Sequence, residues 1–378
     1  MTGIISINAR HLLLNYGSFF QHYALRRCVK SLGEDCFRIK DEDGLIDDYS
    51  FCKSGLMRLA AIPWHIVRWK VPIAEELRLV VYDISRNINF RRDYTRLIGP
   101  LNERQPDPRD YSYLAGSDQI WPGRPSTQAA FAAESRRRVA YAASADWHSF
   151  GGDEKILAAA REWLSRFNRV SVREDVGVEL IKGLGACSDS ALCRTIDPVL
   201  LLDKAYYSEL APNEKIFSTP TLFCYFVNIA SSAEFPLGKC KATADALGVK
   251  LKMLGLQGAE RYVPLSRQMN VSPVDFLRCI RDAEYVVTNS FHGIVFSIIF
   301  EKKFLFVEQP VRCDTDQNER QRELLGRFAI EGHALPVDAS VSTMIDSICC
   351  PIDYGRVRAK VADEVERSKK WLREALTA

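Results

Sequence analysis

The segment Thr288–Gly293 combines residue types that could carry out acid–base chemistry. Before it, Tyr285–Val287 is a β-branched and aromatic run that predicts the end of a buried strand. After it, Ile294–Phe300 predicts a buried helix with Ser290 as its N-cap. His292 then lies in the first helical turn, at the carboxyl end of a strand, where open α/β sheets bind ligands. The helix dipole there favours the neutral imidazole and attracts anions. The position fits a catalytic histidine and equally a histidine that hydrogen-bonds to the backbone of the helix start.

Composition sets broad limits on the class of protein. The 378 residues are enough for two domains, and 47% hydrophobic and 26% charged residues are typical of a globular protein. A formal charge of +3 over this length does not indicate a nucleic-acid partner. Gly3–Ile7 predicts a strand rather than a signal peptide, and no apolar run approaches the roughly 20 residues of a membrane span. The eleven cysteines, without metal-finger spacing, are expected to be reduced thiols of a cytoplasmic protein.

Short apolar runs alternate with segments of helical spacing along the first half of the chain. Strands are predicted at Ile4–Ile7, Tyr113–Ala115, Val139–Ala143 and Val170–Val172. Helices are predicted at Phe19–Leu32 and Glu154–Phe167. Because the strands end in small and polar residues, the pattern is typical of a parallel, doubly wound sheet.

A turn-rich stretch with several prolines, from Asp197 to Thr221, separates this half from a second α/β series. The predicted fold class is therefore α/β, with two Rossmann-like domains facing a cleft. The first domain is predicted to cover residues 1–200 and the second residues 221–350. The charged, amphipathic segment 354–378 is predicted to form a helix that packs back on the N-terminal domain.

One region of the first half, residues 56–96, does not follow the strand–helix alternation. It carries Trp64 and Trp69 among several arginines. Basic residues beside tryptophans on a helix can lie on an anionic membrane surface, which would place the protein at the inner face of the membrane. The alternative, which the interruption by Pro63 and Pro72 favours, is a helical insertion that packs on the first domain and exposes a basic face.

Six short blocks occur in the same order as in the polysaccharide pyruvyl transferase family, and the chain resembles that family through them. The blocks are Asn15–Leu25, Gly116–Trp121, Tyr141–Ser144, Val170–Glu174, Asp197–Leu202 and Thr288–Gly293. Together they span most of the chain. The resemblance implies a glycosyltransferase-B-like pair of Rossmann domains. It also implies transfer of a pyruvyl group from phosphoenolpyruvate to a sugar, forming a ketal.

The partners implied by the resemblance are phosphoenolpyruvate and a sugar acceptor, which can be a lipid-linked saccharide, a nucleotide-sugar or a polymer. No step of this reaction requires a metal or another cofactor, and the six histidines show no metal-ligand spacing. Two other functions fit the same architecture. One is a glycosyltransferase that uses a nucleotide-sugar donor in cell-surface polysaccharide synthesis. The other is a sugar-binding protein without catalysis.

Donor binding requires cations or helix N-termini aimed at a carboxylate and a phosphate. The residues assigned to the donor are Arg173, Asn289, Ser290, Gly293 and Arg312, with His292 as the catalytic acid and base. Arg173 follows a strand and could grip a carboxylate with two hydrogen bonds, or it could pair with Glu174 or Asp175. Other branches of the family have an arginine and a leucine where this chain has Ser290 and Phe291. Donor binding then depends on other cations, of which Arg312 is one.

Acceptor binding is assigned to two loops of the first domain. The residues are Asn15, Tyr16, Gly17, Ser18, Asp118 and Gln119. Gly17 permits close approach of the backbone and Ser18 can cap the following helix, although a plain strand-to-helix turn would use the same residues. Asp118 and Gln119 could hydrogen-bond to sugar hydroxyls, and Asp118 could equally cap a helix.

Overall fold

A computed structural model describes residues 2–5, 15–39, 60, 63, 73–99, 106–121, 137–145, 154–188, 191–256, 258–311 and 316–377 of the protein. The chain forms two compact units. The first unit contains Met1–Phe51, Tyr94–Leu202 and Val361–Ala378, and the second contains Cys52–Asp93 and Asp203–Lys360. Among the described helices, none has the length and apolar character required to cross a bilayer.

The first unit is built on a parallel sheet with the strand order β2-β1-β3-β4-β5-β6. Its strands are β1 (Thr2–Ile5), β2 (Cys36–Arg38), β3 (Ser112–Trp121), β4 (Arg137–Ala145), β5 (Arg169–Val172) and β6 (Leu192–Arg194). Helix α1 (Tyr16–Ser31) connects β1 to β2. The order reverses between β1 and β3, and such a switch point is where doubly wound sheets bind ligands at the carboxyl ends of their strands.

Apolar side chains cover the sheet of the first unit and bury its central strands. Val139 and Val170 are fully buried, and Trp163 of helix α3 (Glu154–Leu164) packs in the core that contains Val170. Helix α4 (Asp175–Leu184) follows β5 and contributes Ile181 to this core. Strands covered on both faces read as continuous apolar runs, which explains why the sequence predicted β4 and β5.

The second unit repeats the same topology in a sheet with the order β11-β10-β9-β7-β8. Its strands are β7 (Thr221–Val227), β8 (Lys250–Leu256), β9 (Tyr285–Thr288), β10 (Lys303–Glu308) and β11 (Ala334–Pro336). All described pairs are parallel. The order reverses between β7 and β9, so the switch point of this sheet lies where Thr288–Gly293 leaves β9.

Helices surround the sheet of the second unit. They are α5 (Lys204–Leu210), α6 (Leu237–Ala246), α7 (Pro273–Asp282), α8 (Phe291–Ile299), α9 (Glu319–Phe328) and α10 (Val341–Cys349). Helix α8 is buried almost all round, as its apolar sequence predicted. Its Phe296 meets Phe276 of α7 edge to face at 5.8 Å between ring centroids, and Phe276 meets Tyr225 of β7 at 4.9 Å. Aromatic pairs of this kind fix the position of α8 against the sheet.

Three strands were not predicted from the sequence: β2, β6 and β11. Each has three residues and lies at an edge of its sheet. A run of three residues is too short to show a period of two. An edge strand also pairs with only one other strand, so its sequence is less constrained by packing. The long strands and helices with clear periodicity were found, which gives the α/β class and the parallel sheets.

The insertion differs from the sequence-based assignment to the first domain. Its described part, helix α2 (Ile73–Leu97), lies mostly in the second unit, which contains Cys52–Asp93. The Tyr82 hydroxyl donates to the carbonyl oxygen of Met269 at 3.1 Å, and Asp93 Oδ2 accepts from Val274 N at 2.9 Å. Sequence order cannot reveal this packing, because both partners lie more than 180 residues further along the chain. Trp64 and Trp69 lie outside the described residues.

The last helix, α11 (Tyr354–Thr377), contributes its residues from Val361 onward to the first unit. The Ser368 hydroxyl oxygen accepts from the backbone N–H of Ile196 at 3.0 Å. Arg194 pairs with Glu364 at 2.8 Å. These contacts hold the C-terminal end of the chain beside β6.

Candidate functional site

The segment after β9 is held to the end of β7 by its own side chains. Asn289 is buried, and its Oδ1 accepts from Val227 N at 2.8 Å while its Nδ2 donates to Val227 O at 2.7 Å. The amide thereby bonds to both backbone groups of the last residue of β7, beyond the point where the ladder between β7 and β9 ends at Tyr225 and Thr288. Asn289 therefore positions the carboxyl edge of the sheet at its switch point. Its predicted contact with the donor stays a prediction.

Ser290 occupies the N-cap position of α8, but its side chain does not make a capping hydrogen bond. Its backbone N–H donates to Thr288 Oγ1 at 3.0 Å, and its hydroxyl is hydrogen-bonded with the hydroxyl of Tyr225. Burial raises the pKa of Tyr225, while the bond with Ser290 acts in the opposite direction. The sequence predicted the cap position of Ser290, but the side-chain capping bond expected there is not formed.

Gly293 is required by packing. A Cβ on Gly293 would stand 2.3 Å from Thr288 Oγ1 and 2.9 Å from its Cβ. Thr288 cannot move aside cheaply, because its hydroxyl donates to Tyr225 O at 2.6 Å and accepts from the N–H of Ser290. The glycine thus allows the first turn of α8 to approach β9 closely. Its predicted role in donor binding stays a prediction.

We expect Gly293→Ala to lower the free energy of unfolding by about 1–3 kcal/mol, the usual cost of overpacking a close contact. Chemical denaturation with a fluorescence readout measures this change. Gly183→Ala in α4 is a matched control, because a Cβ there meets nothing within 4 Å. An alanine at position 293 that leaves stability unchanged would show that Thr288 has room to shift.

His292 stands in the first turn of α8 and is partly exposed, with Phe291 edge to face at 5.3 Å between ring centroids. Two further histidines lie in the described part of the chain, and both are buried. Burial is the largest cause that lowers the pKa of His22, to about 3, and burial also lowers the pKa of His333. Both rings are therefore held neutral near neutral pH. Among the described histidines, His292 is the one whose side chain is not fully buried, although its Nε2 is shielded from solvent.

A buried hydrogen-bond network lies at the carboxyl edge of the first sheet. Asp197 Oδ2 accepts from Arg173 Nη1 at 2.8 Å and from Gln21 Nε2 at 2.7 Å. Gln21 Nε2 also donates to Ser117 Oγ at 2.8 Å. Asp197 Oδ1 accepts from Val199 N at 2.9 Å and so caps the turn Pro198–Leu201. The Asp197 carboxylate therefore connects α1 with the segments that follow β5 and β6. Gln21 extends the network to Ser117 of β3.

The Arg173 side chain forms its ion pairs within the first unit. The side chain is 4% exposed, its Nε donates to Glu174 Oε1 at 2.9 Å, and its Nη1 donates to Asp197. Glu174 Oε1 also accepts from the Ser144 hydroxyl at 2.8 Å. These contacts match the alternative interpretation of Arg173 as an arginine paired with Glu174, although the pair is buried. Contact between Arg173 and the donor stays a prediction. The alternative is that Arg173 only stabilises the first unit.

The first predicted acceptor loop leads directly into α1. Asn15, not Ser18, is the cap of this helix, because Asn15 Oδ1 accepts from the backbone N–H of Ser18 at 3.2 Å. Tyr16, Gly17 and Ser18 are helical and buried. The prediction of Ser18 as the N-cap is therefore wrong. The helix begins about one turn earlier in the sequence than predicted. A role of these four residues in acceptor binding stays a prediction.

Two adjacent strands of the first sheet carry a residue with a positive φ angle at the same level. Ser117 of β3 and Ala142 of β4 have positive φ angles of 36° and 47°. Non-glycine residues rarely adopt this conformation inside a strand, and it costs on the order of 1–3 kcal/mol. Two hydroxyls support it, since Ser117 Oγ accepts from Gln21 and Ser171 Oγ accepts from Ala142 N at 2.9 Å. Ser117 directly precedes the predicted acceptor residues Asp118 and Gln119.

Three predicted site residues have no described side chain. Asp118 and Gln119 lie on β3, just after Ser117, and nothing is described of their side chains. Arg312 lies outside the described residues. Their assignments to acceptor and donor stay predictions.

Sequence reasoning missed the network residues of the first unit. Gln21, Ser117, Ser144 and Asp197 were not singled out, although each lies in a different family block. Arg173 and Glu174 belong to a fifth block. Five of the six blocks therefore converge on one buried network. Their occurrence in a fixed order was the signal that could have suggested a common site.

The chain is similar to known proteins in sequence and in fold. The family model described as polysaccharide pyruvyl transferase matches residues 15–309. A search of curated proteins finds no match. Among solved structures, UDP-GlcNAc 2-epimerase from Neisseria meningitidis bound to UDP-GlcNAc is similar with 11% identity and a TM-score of 0.51, over 99% of this chain and 98% of that one. The Methanocaldococcus jannaschii UDP-GlcNAc 2-epimerase has 9% identity and a TM-score of 0.48, over 93% and 92%.

At such identities the structural likeness concerns the fold alone. The fold is α/β, with parallel sheets in two domains, and it is of the glycosyltransferase-B type. The family model covers well over half of the chain and includes every one of the six blocks. The chain therefore belongs to the polysaccharide pyruvyl transferase family.

Proposed function

We propose that this transferase moves the pyruvyl group of phosphoenolpyruvate to a sugar of a polysaccharide or its precursor and forms a ketal. The family membership supports the class of reaction. The observation that carries the mechanism is the place of His292, partly exposed in the first turn of α8 and beside the β7–β9 switch point. A ligand bound outside the carboxyl ends of these strands would meet the imidazole and the helix N-terminus together.

The chemistry requires one acid and one base. The methylene carbon of the donor gains a proton and becomes a methyl group while a sugar hydroxyl oxygen bonds to the neighbouring carbon. The proton of that hydroxyl goes to a base. The carbon–oxygen bond to phosphate then breaks, the departing phosphate takes up the proton of a second hydroxyl of the same sugar, and the oxygen of that hydroxyl bonds to the same carbon and closes the ring. Inorganic phosphate and the ketal are the products. We assign His292 both to proton donation to carbon and to proton removal from the hydroxyl.

The anionic donor is assigned to the second unit. The N-terminus of α8 supplies backbone N–H groups and the positive end of a helix dipole, which suits a phosphate or a carboxylate. Asn289, Ser290 and Gly293 shape this terminus, and Arg312, which follows β10 in the sequence, is assigned as a cation for the donor. The acceptor sugar is assigned to the first unit, to the loop Asn15–Ser18 and to the part of β3 that carries Asp118 and Gln119.

Labelled donors distinguish this function from its main alternative. The protein is incubated with phosphoenolpyruvate labelled in the pyruvyl group, or with labelled nucleotide-sugars, in the presence of a pool of lipid-linked and nucleotide-activated sugars. We expect transfer of the pyruvyl label with release of inorganic phosphate. Transfer of sugar label with release of nucleotide would replace the proposal by a glycosyltransferase. That alternative has the support that the Neisseria epimerase of similar fold is bound to UDP-GlcNAc.

A further inference from the structure

Helix α2 presents a continuous apolar stripe to solvent. Its five members are Ile73, Leu77, Val81, Ile84 and Ile88, and they are between 37% and 66% exposed. They follow one another at separations of four, four, three and four residues, so they lie on one face of the helix. At 1.5 Å per residue the stripe is about 22 Å long. Exposed apolar patches of this extent mark interaction surfaces.

The opposite face of α2 is fixed to the second unit. Tyr82 donates to Met269 O, Arg78 Nη1 donates to Gln268 Oε1 at 2.5 Å, and Asp93 accepts from Val274 N. Leu79 and Phe90 are buried on the same side. The helix therefore cannot turn its apolar stripe inward without breaking these contacts. The stripe is a stable feature of the folded unit.

Positive charge lies at the carboxyl-terminal end of the stripe. Arg91 and Arg92 follow Ile88 by three and four residues and so continue the same face, and Arg92 has a side chain that is 64% exposed. Arg96 is exposed one turn further on. One acidic residue lies among these arginines, since Asp93 pairs with Arg92 at 3.7 Å, but its side chain is only 2% exposed. The other acidic residues of the helix lie elsewhere. Asp83 pairs with Arg86 at 3.1 Å, and Glu75 and Glu76 stand near the start of the helix.

A second copy of the chain fits this face poorly. The stripe exposes on the order of 400–500 Å², whereas a stable interface buries about 800 Å² on each partner. In an antiparallel pair of α2 helices, Ile73 would face Ile88 and Leu77 would face Ile84. Arg91 and Arg92 would then lie beyond the start of the partner helix. A parallel pair would bring like charges together at Arg91 and Arg92. Neither arrangement gives these two arginines an acidic partner on the second copy.

We propose that this face of α2 binds the surface of an anionic lipid bilayer. Aliphatic side chains without hydrogen-bonding groups suit the boundary of the acyl region, and long arginine side chains can reach the phosphates of the headgroups. Because the basic end attracts anionic lipid and the acidic end does not, the carboxyl-terminal half of the stripe inserts more deeply. This surface would place the enzyme beside lipid-linked acceptors, but the proposal does not depend on which group is transferred.

The test is co-sedimentation of the full chain with vesicles of phosphatidylcholine alone or with added phosphatidylglycerol. We expect binding to the anionic vesicles and much weaker binding to the neutral ones. Ile88→Glu should weaken binding about tenfold or more, because it replaces an inserted side chain by a charge that the surface repels. Ile73→Glu should have a smaller effect. Val311→Glu is the matched control, because Val311 is 61% exposed but lies outside α2, and its binding should equal that of the unaltered protein.

Charge is tested separately with Arg92→Gln combined with Arg96→Gln, which should weaken binding about fivefold per arginine and reduce its dependence on salt. Melting temperatures identify variants that fail to fold. Substitutions at exposed positions of α2 should leave the melting temperature unchanged. Absence of binding to anionic vesicles, or equal binding by Ile88→Glu, would overturn the proposal. So would equal binding to neutral vesicles. A dimer in analytical ultracentrifugation that Ile88→Glu dissociates would show that a second copy occupies the face instead.

Discussion

The variant His292→Gln is expected to fold normally and to turn over at least about 100-fold more slowly than the unaltered enzyme, because glutamine hydrogen-bonds but cannot carry the proton. Loss of a positioned acid or base commonly costs about 10²- to 10⁴-fold in rate. Loss of a hydrogen bond near a helix start costs only about 1 kcal/mol of stability. His292→Ala should behave similarly and should still bind the donor. Steady-state rates of phosphate release, with melting temperatures measured in parallel, test this prediction.

The comparison variant for His292 is Asp118→Asn, which removes the next candidate acid while leaving the shape of the side chain. We expect a smaller loss of rate in Asp118→Asn, seen mainly in KM for the acceptor. If His292→Gln keeps most of the activity and Asp118→Asn does not, the proton donor is Asp118, and His292 positions the donor. Equal, small effects in both would move the acid to a residue outside these two positions.

Removal of the Arg173 side chain should destabilise the first unit strongly. Arg173→Met leaves the buried carboxylates of Glu174 and Asp197 without their shared partner, and breaking a buried pair from one side costs about 3–5 kcal/mol. Arg173→Lys keeps the charge but cannot bond to both carboxylates through the same planar fork, so an intermediate loss is expected. Denaturant unfolding measures both. The double variant with Asp197→Asn should be less destabilised than the sum of its single variants.

Donor affinity distinguishes the two interpretations of Arg173. Calorimetry is carried out at a temperature where Arg173→Met is still folded. If Arg173 contacts phosphoenolpyruvate, affinity should fall by about 2–3 kcal/mol, the worth of a charge-assisted contact. If Arg173 acts only within the network, stability falls and affinity does not. Additive effects in the double variant would mean that Arg173 and Asp197 are not coupled, contrary to their distance of 2.8 Å.

The sequence by itself determined the features that depend on neighbouring residues. Periodicity gave the buried helix α8, the central strands β4, β5 and β9 and the alternation that makes both sheets parallel, because burial of one face selects residues at fixed spacing. It also placed His292 at a helix start after a strand, since strand and helix adjoin in sequence. The order of the six blocks gave the family. Capping was less certain, and the first turn of α1 is capped by Asn15 rather than Ser18.

Only the tertiary structure decided which distant residues share a site. Gln21 and Asp197 are 176 residues apart, and Asn289 bonds to a strand end 62 residues away. Such pairs carry no periodic signal. A hydrogen bond between distant residues constrains only those two positions and does not constrain the residues that separate them in the sequence. The positive φ angles of Ser117 and Ala142 likewise follow from support by Gln21 and Ser171 across the sheet. The exposure of the α2 stripe depends on which face docks on the second unit, and an amphipathic or apolar sequence alone cannot choose that face.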